Sequence, residues 1–260
     1  MSISPKVKYG LLGRSLGHSF SMKYFTDKFR KEGIPASYQN FELKDIEELE
    51  EKVLSDPAIR GFNVTFPFKK AILPFLDFID EATLTTGACN TVYRIEDHLF
   101  GYNTDVKGFL ELYLSLDAQS KPGNVLILGT GGAAAAVSYV LDDLNKNHHF
   151  VSRSENYDWR YKDLTKTDIE SYDVIVQTTP LGTKGHLEDQ CPPIPYEGIH
   201  SGQLCIELNY NPAQTLFLEK CAQRGAATVN GEVMLIEQAE ASWRIWNNCE
   251  RTRTENENLI

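Results

Sequence analysis

The chain has 260 residues, 42% of them hydrophobic, enough for one large core or two modest ones. Its net charge of -10 and sequence pI of about 5.1 argue against a nucleic-acid or anionic-membrane surface, because such footprints need clustered excess Lys and Arg. The five cysteines, Cys89, Cys191, Cys205, Cys221 and Cys249, contain no C-x-x-C pair and read as reduced thiols, which fits the cytoplasm.

Met1 to Gly10 lacks the apolar run of an export signal. Beyond it the pattern predicts a strand over Val7 to Leu12, a helix over Ser21 to Lys31, a strand over Ser37 to Leu43 and an acidic helix over Asp45 to Leu54. Ile59 to Thr65 reads as a third strand, and Cys89 to Ile95 with Leu99 to Gly101 as a hairpin turning at Glu96 to His98. Apolar residues at helical spacing from Asp105 to Leu116, stopped by Lys121-Pro122-Gly123, make the expected bridge to a second domain.

In that domain strands are predicted at Asn124 to Leu128, His149 to Val151, Val174 to Gln177, Leu204 to Leu208 and Ala227 to Val229. Helices are predicted at Ala133 to Leu144 and Thr215 to Gln223. Pro122 to Leu141 is uncharged, but its glycines and polar residues break it into strand, turn and helix rather than a membrane span. The proline-bearing segment Gly182 to Gln203 reads as a long irregular connection. An apolar helix over Val233 to Trp246 closes the fold before a polar, frayed end from Glu250. The fold class is α/β: an N-terminal mixed domain, residues 1–104, followed by a doubly wound parallel-sheet domain.

Gly129-Thr130-Gly131-Gly132-Ala133-Ala134 fits G-x-G-x-x-A between a strand and a helix, where backbone N–H groups can face a pyrophosphate. The bland alternative is a tight turn that binds nothing. The next strand ends Ser152-Arg153-Ser154, and a guanidinium flanked by hydroxyls suits the NADP phosphate better than the NAD ribose diol. Nearby Glu155 keeps NAD open, and Arg153 can also be a solvated surface residue.

Asn63-Val64-Thr65-Phe66-Pro67-Phe68-Lys69-Lys70 reads as a strand running into a helical first turn at Pro67. The macrodipole there opposes a cation, which would favour neutral amine for proton transfer, although two lysines on a wet helix end remain an equal reading. Thr104 reads as an N-cap with Asp105 in the first turn of the bridging helix. Ser19 and Ser21 introduce the first helix as caps or as a carboxylate site. The six histidines form no ligand cluster, and no metal is expected.

Four segments together resemble shikimate dehydrogenase, from about Tyr9 to Trp246. They are Gly17-His18-Ser19-Phe20-Ser21, Asn63 to Lys69, Asn90-Thr91 with Asn103-Thr104-Asp105, and Gly231 to Gln238; Tyr210-Asn211-Pro212 with Thr215 is also family-like. The resemblance implies that the first domain binds substrate and the second is a Rossmann-type NADP domain. It also implies that the C-terminal helix packs back on the first domain, so that residues 1–104 with 233–260 form the substrate domain and residues 105–232 the NADP domain, with the site in the cleft between the domains.

Carried residue by residue, it implies Ser19 and Ser21 on the substrate carboxylate, Thr65, Asn90 and Gln238 around the ring hydroxyls with Tyr210 beside them, and Lys69 with Asp105 as acid/base pair. Cofactor contacts fall on Gly129, Thr130, Gly131, Gly132, Ala133, Ser152, Arg153, Ser154 and Gly231. The implied reaction is reversible NADP-dependent reduction of 3-dehydroshikimate to shikimate by a monomer or homodimer. The alternatives are a quinate/shikimate dehydrogenase using NAD or NADP, and a non-catalytic nucleotide-sensing module.

The sequence departs from the family pattern in places. Met22 replaces a proline, Ser152-Arg153-Ser154 replaces Asn-Arg-Thr, and Gln177-Thr178-Thr179-Pro180 replaces Asn-Ala-Thr-Pro. Tyr157 stands where a second basic residue is usual, with Arg160 as its possible substitute, and the stretch from Ser154 to Tyr172 is short for a crossover helix.

Overall fold

The computed structural model describes residues 7–17, 19–116 and 123–256, with side chains described as far as Asn247. His18, Lys121-Pro122 and the side chains of Cys249 and the polar C-terminal end lie outside the described residues. The chain divides into two compact units, Met1–Thr104 with Ala239–Ile260, and Asp105–Gln238. The return to the first unit comes at Ala239 rather than at 233. Met234 is buried in the second unit's core, and Gly108 packs against the Met234 carbonyl and Gln238.

In the first unit the strands are β1 (Val7–Gly13), β2 (Ala36–Glu42), β3 (Ile59–Val64), β4 (Phe78–Ile79), β5 (Thr91–Ile95) and β6 (His98–Tyr102). They form a mixed sheet in the order β2-β1-β3-β5-β6-β4. Strand alternation feeds two cores. Leu12, Phe62, Val64 and Val92 enter one, while Tyr9, Leu11 and Tyr93 enter the other with Phe25 and Phe29 of α1 (Phe20–Glu32) and with Trp246. The Trp246 indole donates to the Val92 carbonyl at 3.0 Å, and a Cβ on Gly61 would lie 2.5 Å from that indole nitrogen.

The predicted hairpin forms with a tighter turn, since Ile95 pairs with His98 and Glu96 takes a φ of 55°. The predicted acidic helix is instead a 3₁₀ turn at Ile46–Glu48 followed by a π turn at Glu50–Leu54. This changing pitch brings Ile46, Leu49 and Val53 to the same core. A helix absent from the sequence reading, α2 (Glu81–Thr86), has an Asp80 N-cap and a left-handed Gly87 C-cap, signals that the pattern of apolar residues masks.

In the second unit α3 (Thr104–Ser115) enters, and β7 (Val125–Leu128), β8 (His148–Ser152), β9 (Trp159–Arg160), β10 (Val174–Gln177), β11 (Leu204–Glu207) and β12 (Ala227–Val229) pair in parallel in the order β12-β11-β10-β7-β8-β9. Both faces are covered, as continuous apolar strands require. Val125, Ile127, Val174 and Val176 meet α3 and α4 (Gly132–Asp143), whereas Leu126, Leu128 and Ile175 meet α5 (Lys166–Glu170) and α6 (Leu216–Gln223). Between β8 and β10 the chain forms β9, a 3₁₀ turn at Tyr161–Asp163 and the five-residue α5, in place of a full crossover helix. The final helix α7 spans Glu232–Asn256, ten residues past the expected end at Trp246.

Candidate active site

The N-terminus of α1 carries both candidate carboxylate-binding serines. Ser19 is the N-cap, its Oγ accepting the Met22 N–H at 3.2 Å, and Ser21 follows one residue into the helix. The Ser21 hydroxyl bonds to Tyr38, whose buried phenol is pushed well above its ordinary range by desolvation, an effect that this bond opposes. Tyr38 in turn donates to Asn63 Oδ1 at 2.8 Å.

From Asn63 a buried polar cluster continues. Asn63 Nδ2 donates to Ser242 Oγ at 2.9 Å, to Thr91 Oγ1 at 3.1 Å and to the Asn90 carbonyl at 3.3 Å. Asn90 Oδ1 receives the Thr104 N–H at 2.7 Å and the Thr104 hydroxyl at 3.1 Å. Groups buried this deeply stay only when their hydrogen bonds are made, so the cluster defines one local geometry. Thr104 is therefore not the N-cap expected. It is the first residue of α3, and its hydroxyl is used by this cluster. The next residue, Asp105, is buried.

Lys69 does not sit at a helix N-terminus. Residues 66–72 form successive turns after a cis Phe66–Pro67 peptide, and the Lys69 carbonyl accepts the Cys89 N–H at 2.8 Å instead of continuing a helical ladder. The macrodipole expectation for Lys69 therefore falls. Exposure separates the two lysines, with Lys69 half-buried and Lys70 exposed. Thr65 is half-buried at the end of β3, its N–H bonded to the Leu12 carbonyl and its methyl packed against Gly13.

In the second unit β7 runs into Gly129, whose φ of 114° is a conformation L side chains rarely adopt. A Cβ there would also lie 2.7 Å from Thr178 Oγ1, at the end of the neighbouring β10. Gly131 is different: it caps α4 from extended backbone, and a Cβ would meet no protein atom within 4 Å. Thr130, Gly132 and Ala133 complete the turn, so the loop offers helix N–H groups beside open space, as a dinucleotide phosphate needs. At the tip of β8, Ser152 is buried and its hydroxyl accepts the Ser154 N–H at 3.1 Å, while Arg153 is exposed. Arg160 is not an available substitute cation, because Glu155 and Asp163 both pair with it. The same pairing engages the carboxylate that kept NAD open.

The turn after β11 carries Tyr210, whose half-buried phenol is raised by desolvation. Fully buried Glu207 ends β11, bonded to the Asn209 N–H at 3.0 Å and the Thr215 hydroxyl at 3.1 Å. Gly231 approaches this turn so closely that a Cβ would lie 2.1 Å from the Leu208 carbonyl oxygen. Gln238 Nε2 bonds the Leu235 carbonyl of its own helix at 2.9 Å. Among the described residues, no group of three or more His, Cys, Asp or Glu side chains could hold a metal ion, and no helix is long and apolar enough to cross a membrane.

A family model for the shikimate dehydrogenase substrate binding domain matches residues 11–92. The chain is 35% identical over 248 residues to a shikimate dehydrogenase (NADP(+)) of Clostridium botulinum, covering 91% of this chain and 95% of that one. This chain belongs to the shikimate dehydrogenase family. Its fold is likewise similar to the shikimate dehydrogenase of Aquifex aeolicus, with a TM-score of 0.85, 30% identity and 96% of each chain covered. It is also similar to the Thermus thermophilus shikimate 5-dehydrogenase solved in complex with NADP(H) and shikimate, with a TM-score of 0.81, 28% identity and 93% and 94% of the two chains covered.

For a shikimate dehydrogenase family member, the expected architecture of an N-terminal substrate domain and a Rossmann domain holds. The first unit gathers Ser21 and Asn90 on one hydrogen-bonded cluster and tethers Lys69 beside it. The second places the glycine loop, the Ser152 to Ser154 tip and the Tyr210 turn at strand ends. Sequence reasoning missed Tyr38, Thr91, Ser242 and Glu207. Asn63 and Thr91 stood inside quoted motifs without a role, while Ser242 sits in an apolar helix with no local signal.

Proposed function

We propose that this chain catalyses the reversible NADP-dependent reduction of 3-dehydroshikimate to shikimate, with Lys69 and Asp105 as its acid/base pair. The observation that carries the reading is a pair of tethers on consecutive residues. The Cys89 N–H holds the Lys69 carbonyl at 2.8 Å, and Asn90 Oδ1 holds the N–H of Thr104, the residue before Asp105, at 2.7 Å. Both candidate catalytic segments are thus anchored on Cys89-Asn90, and Asn90 is itself a candidate substrate ligand.

In this reading Ser19 and Ser21 hold the substrate carboxylate, and Thr65, Asn90, Tyr210 and Gln238 surround the ring hydroxyls. The residues present fit NADP: Gly129 to Ala133 and Gly231 would hold the dinucleotide, and exposed Arg153 with Ser152 and Ser154 its extra phosphate. When bound, NADP(H) supplies or takes up the hydride at the reacting carbon. Lys69 gives a proton to the ring oxygen during reduction and takes it back during oxidation, work suited to a half-buried amine. Asp105 orients that amine and the substrate hydroxyl. Residues 1–104 with the C-terminal helix form the substrate-binding domain, and the protein acts in the cytoplasm as a monomer or homodimer.

Nicotinamide absorbance tests this directly, with shikimate and NADP in one well and NAD, quinate or Lys69→Ala protein in parallel wells. Rapid NADP reduction by shikimate that collapses in folded Lys69→Ala protein is expected. No turnover of either acid with either cofactor by folded protein would overturn the proposal and favour a nucleotide-sensing module.

A further inference from the structure

We infer that Arg160 is a positioning residue for cofactor choice: by pairing with Glu155 it keeps that carboxylate away from the extra phosphate of NADP and from the ribose diol of NAD. This rests on the reading of Arg153 with Ser152 and Ser154 as the holder of the extra phosphate.

The pairing is built into the sheet. Strands β8 and β9 run parallel with Ser152 opposite Arg160, so Arg160 lies beside the strand end that carries the phosphate-binding candidates. The connection between the two strands is short and tied. The Ser152 hydroxyl accepts the Ser154 N–H at 3.1 Å, the Ser154 hydroxyl accepts the Asn156 N–H at 3.4 Å, and the Asp158 carboxylate accepts the Phe150 N–H at 2.7 Å. These bonds keep the backbone of Glu155 next to Arg153 and Ser154, and the direction of its side chain is left to its ion pair.

The Arg160 guanidinium sets that direction, donating from Nη1 to Glu155 Oε1 and from Nε to Asp163 Oδ2. Among the described residues, Glu155 and Asp163 pair with no other cation, and Arg153 enters no ion pair. An open cavity of about 490 Å³ at this tip is lined by three carboxylates, Glu155, Asp158 and Asp163, against one cation, Arg160. Without Arg160 the surface beside Arg153 therefore becomes wholly acidic. Glu155, one residue past Ser154, then repels the phosphate and is released to accept from ribose hydroxyls, the role of an acidic residue at this strand end in NAD enzymes.

The test measures dissociation constants of NADPH and NADH by nicotinamide fluorescence on full-length Arg160→Gln, Glu155→Gln and the double variant, with Arg153→Ala as reference. Arg160→Gln should bind NADPH about three- to tenfold more weakly, as expected for like charges screened by water, and the loss should shrink as salt rises. NADH binding should not weaken. Glu155→Gln alone should change NADPH binding by less than about twofold, because its carboxylate is already engaged, yet in the Arg160→Gln background it should recover most of the loss. Unchanged NADPH binding in Arg160→Gln, equal weakening for both nucleotides, or a Glu155→Gln effect of the same size in both backgrounds would overturn the inference. If Arg153→Ala leaves NADPH binding unchanged, the phosphate reading fails; if only Arg153→Ala weakens it, the role of Arg160 alone fails.

Discussion

Thr104 donates its backbone N–H to the side-chain oxygen of Asn90 at 2.7 Å, fixing the first turn of α3 and with it the start of the segment that carries Asp105. One residue earlier, Cys89 holds Lys69 through its carbonyl at 2.8 Å. Lys69→Ala should lower kcat by about 10²- to 10⁴-fold, the range for losing a positioned acid/base group. Lys70→Ala, at an exposed position of the same turn, should leave kcat close to its original value. Steady-state kinetics on both folded variants check this; equal losses would remove the distinction between the two lysines.

Arg153 stands exposed at the tip of β8, while Arg160 is engaged by Glu155 and Asp163. Arg153→Ala should therefore raise the KM for NADP about tenfold or more, the cost of a charge-assisted contact to phosphate. Activity with NAD should change little. An NADP KM that is insensitive to this substitution would mean that the extra phosphate is held elsewhere.

The two glycines of the nucleotide loop make opposite predictions. Gly129→Ala forces a side chain onto a φ of 114° and against Thr178, so it should cost about 1–3 kcal/mol of stability in denaturant titrations. Gly131→Ala places its methyl in open space and should leave stability unchanged while weakening NADP binding. Intact NADP affinity in Gly131→Ala would place the pyrophosphate away from this turn.

Glu207 is fully buried, and desolvation pushes its carboxyl up to about 8 from an ordinary 4.5, against opposing bonds from the Asn209 N–H and the Thr215 hydroxyl. Between these values the folded state keeps a proton that the unfolded state has released. Stability should therefore fall as pH rises from about 4.5 to about 8, by at most about 5 kcal/mol at about 1.4 kcal/mol per unit. Glu207→Gln, which stays neutral and can still reach both partners, should flatten that part of the melting-temperature profile. An equally steep profile in the variant would show that the proton belongs to another group.

Much of this protein was legible before folding. The short continuous apolar runs of β7, β10 and β11 and the glycine loop after β7 depend on local sequence alone, and they formed close to where they were expected. The cap signals of α2 were equally local, but the apolar pattern around them is weak. Lys69 shows the limit of such reasoning. Pro67 followed by lysines reads as a helix start, yet the Lys69 carbonyl is taken by Cys89, a partner twenty residues away, and the helix does not form.

By itself the sequence determined the alternation of elements, the nucleotide loop and the family motifs, because these rest on neighbouring residues and backbone preference. Only the tertiary structure decided which hydroxyls bond to Asn90, that Glu155 and Asp163 pair with Arg160, and that Glu207 is buried with no ion-pair partner among the described residues. Those outcomes depend on contacts between residues distant in the chain and on the exclusion of water, and no local spacing encodes either.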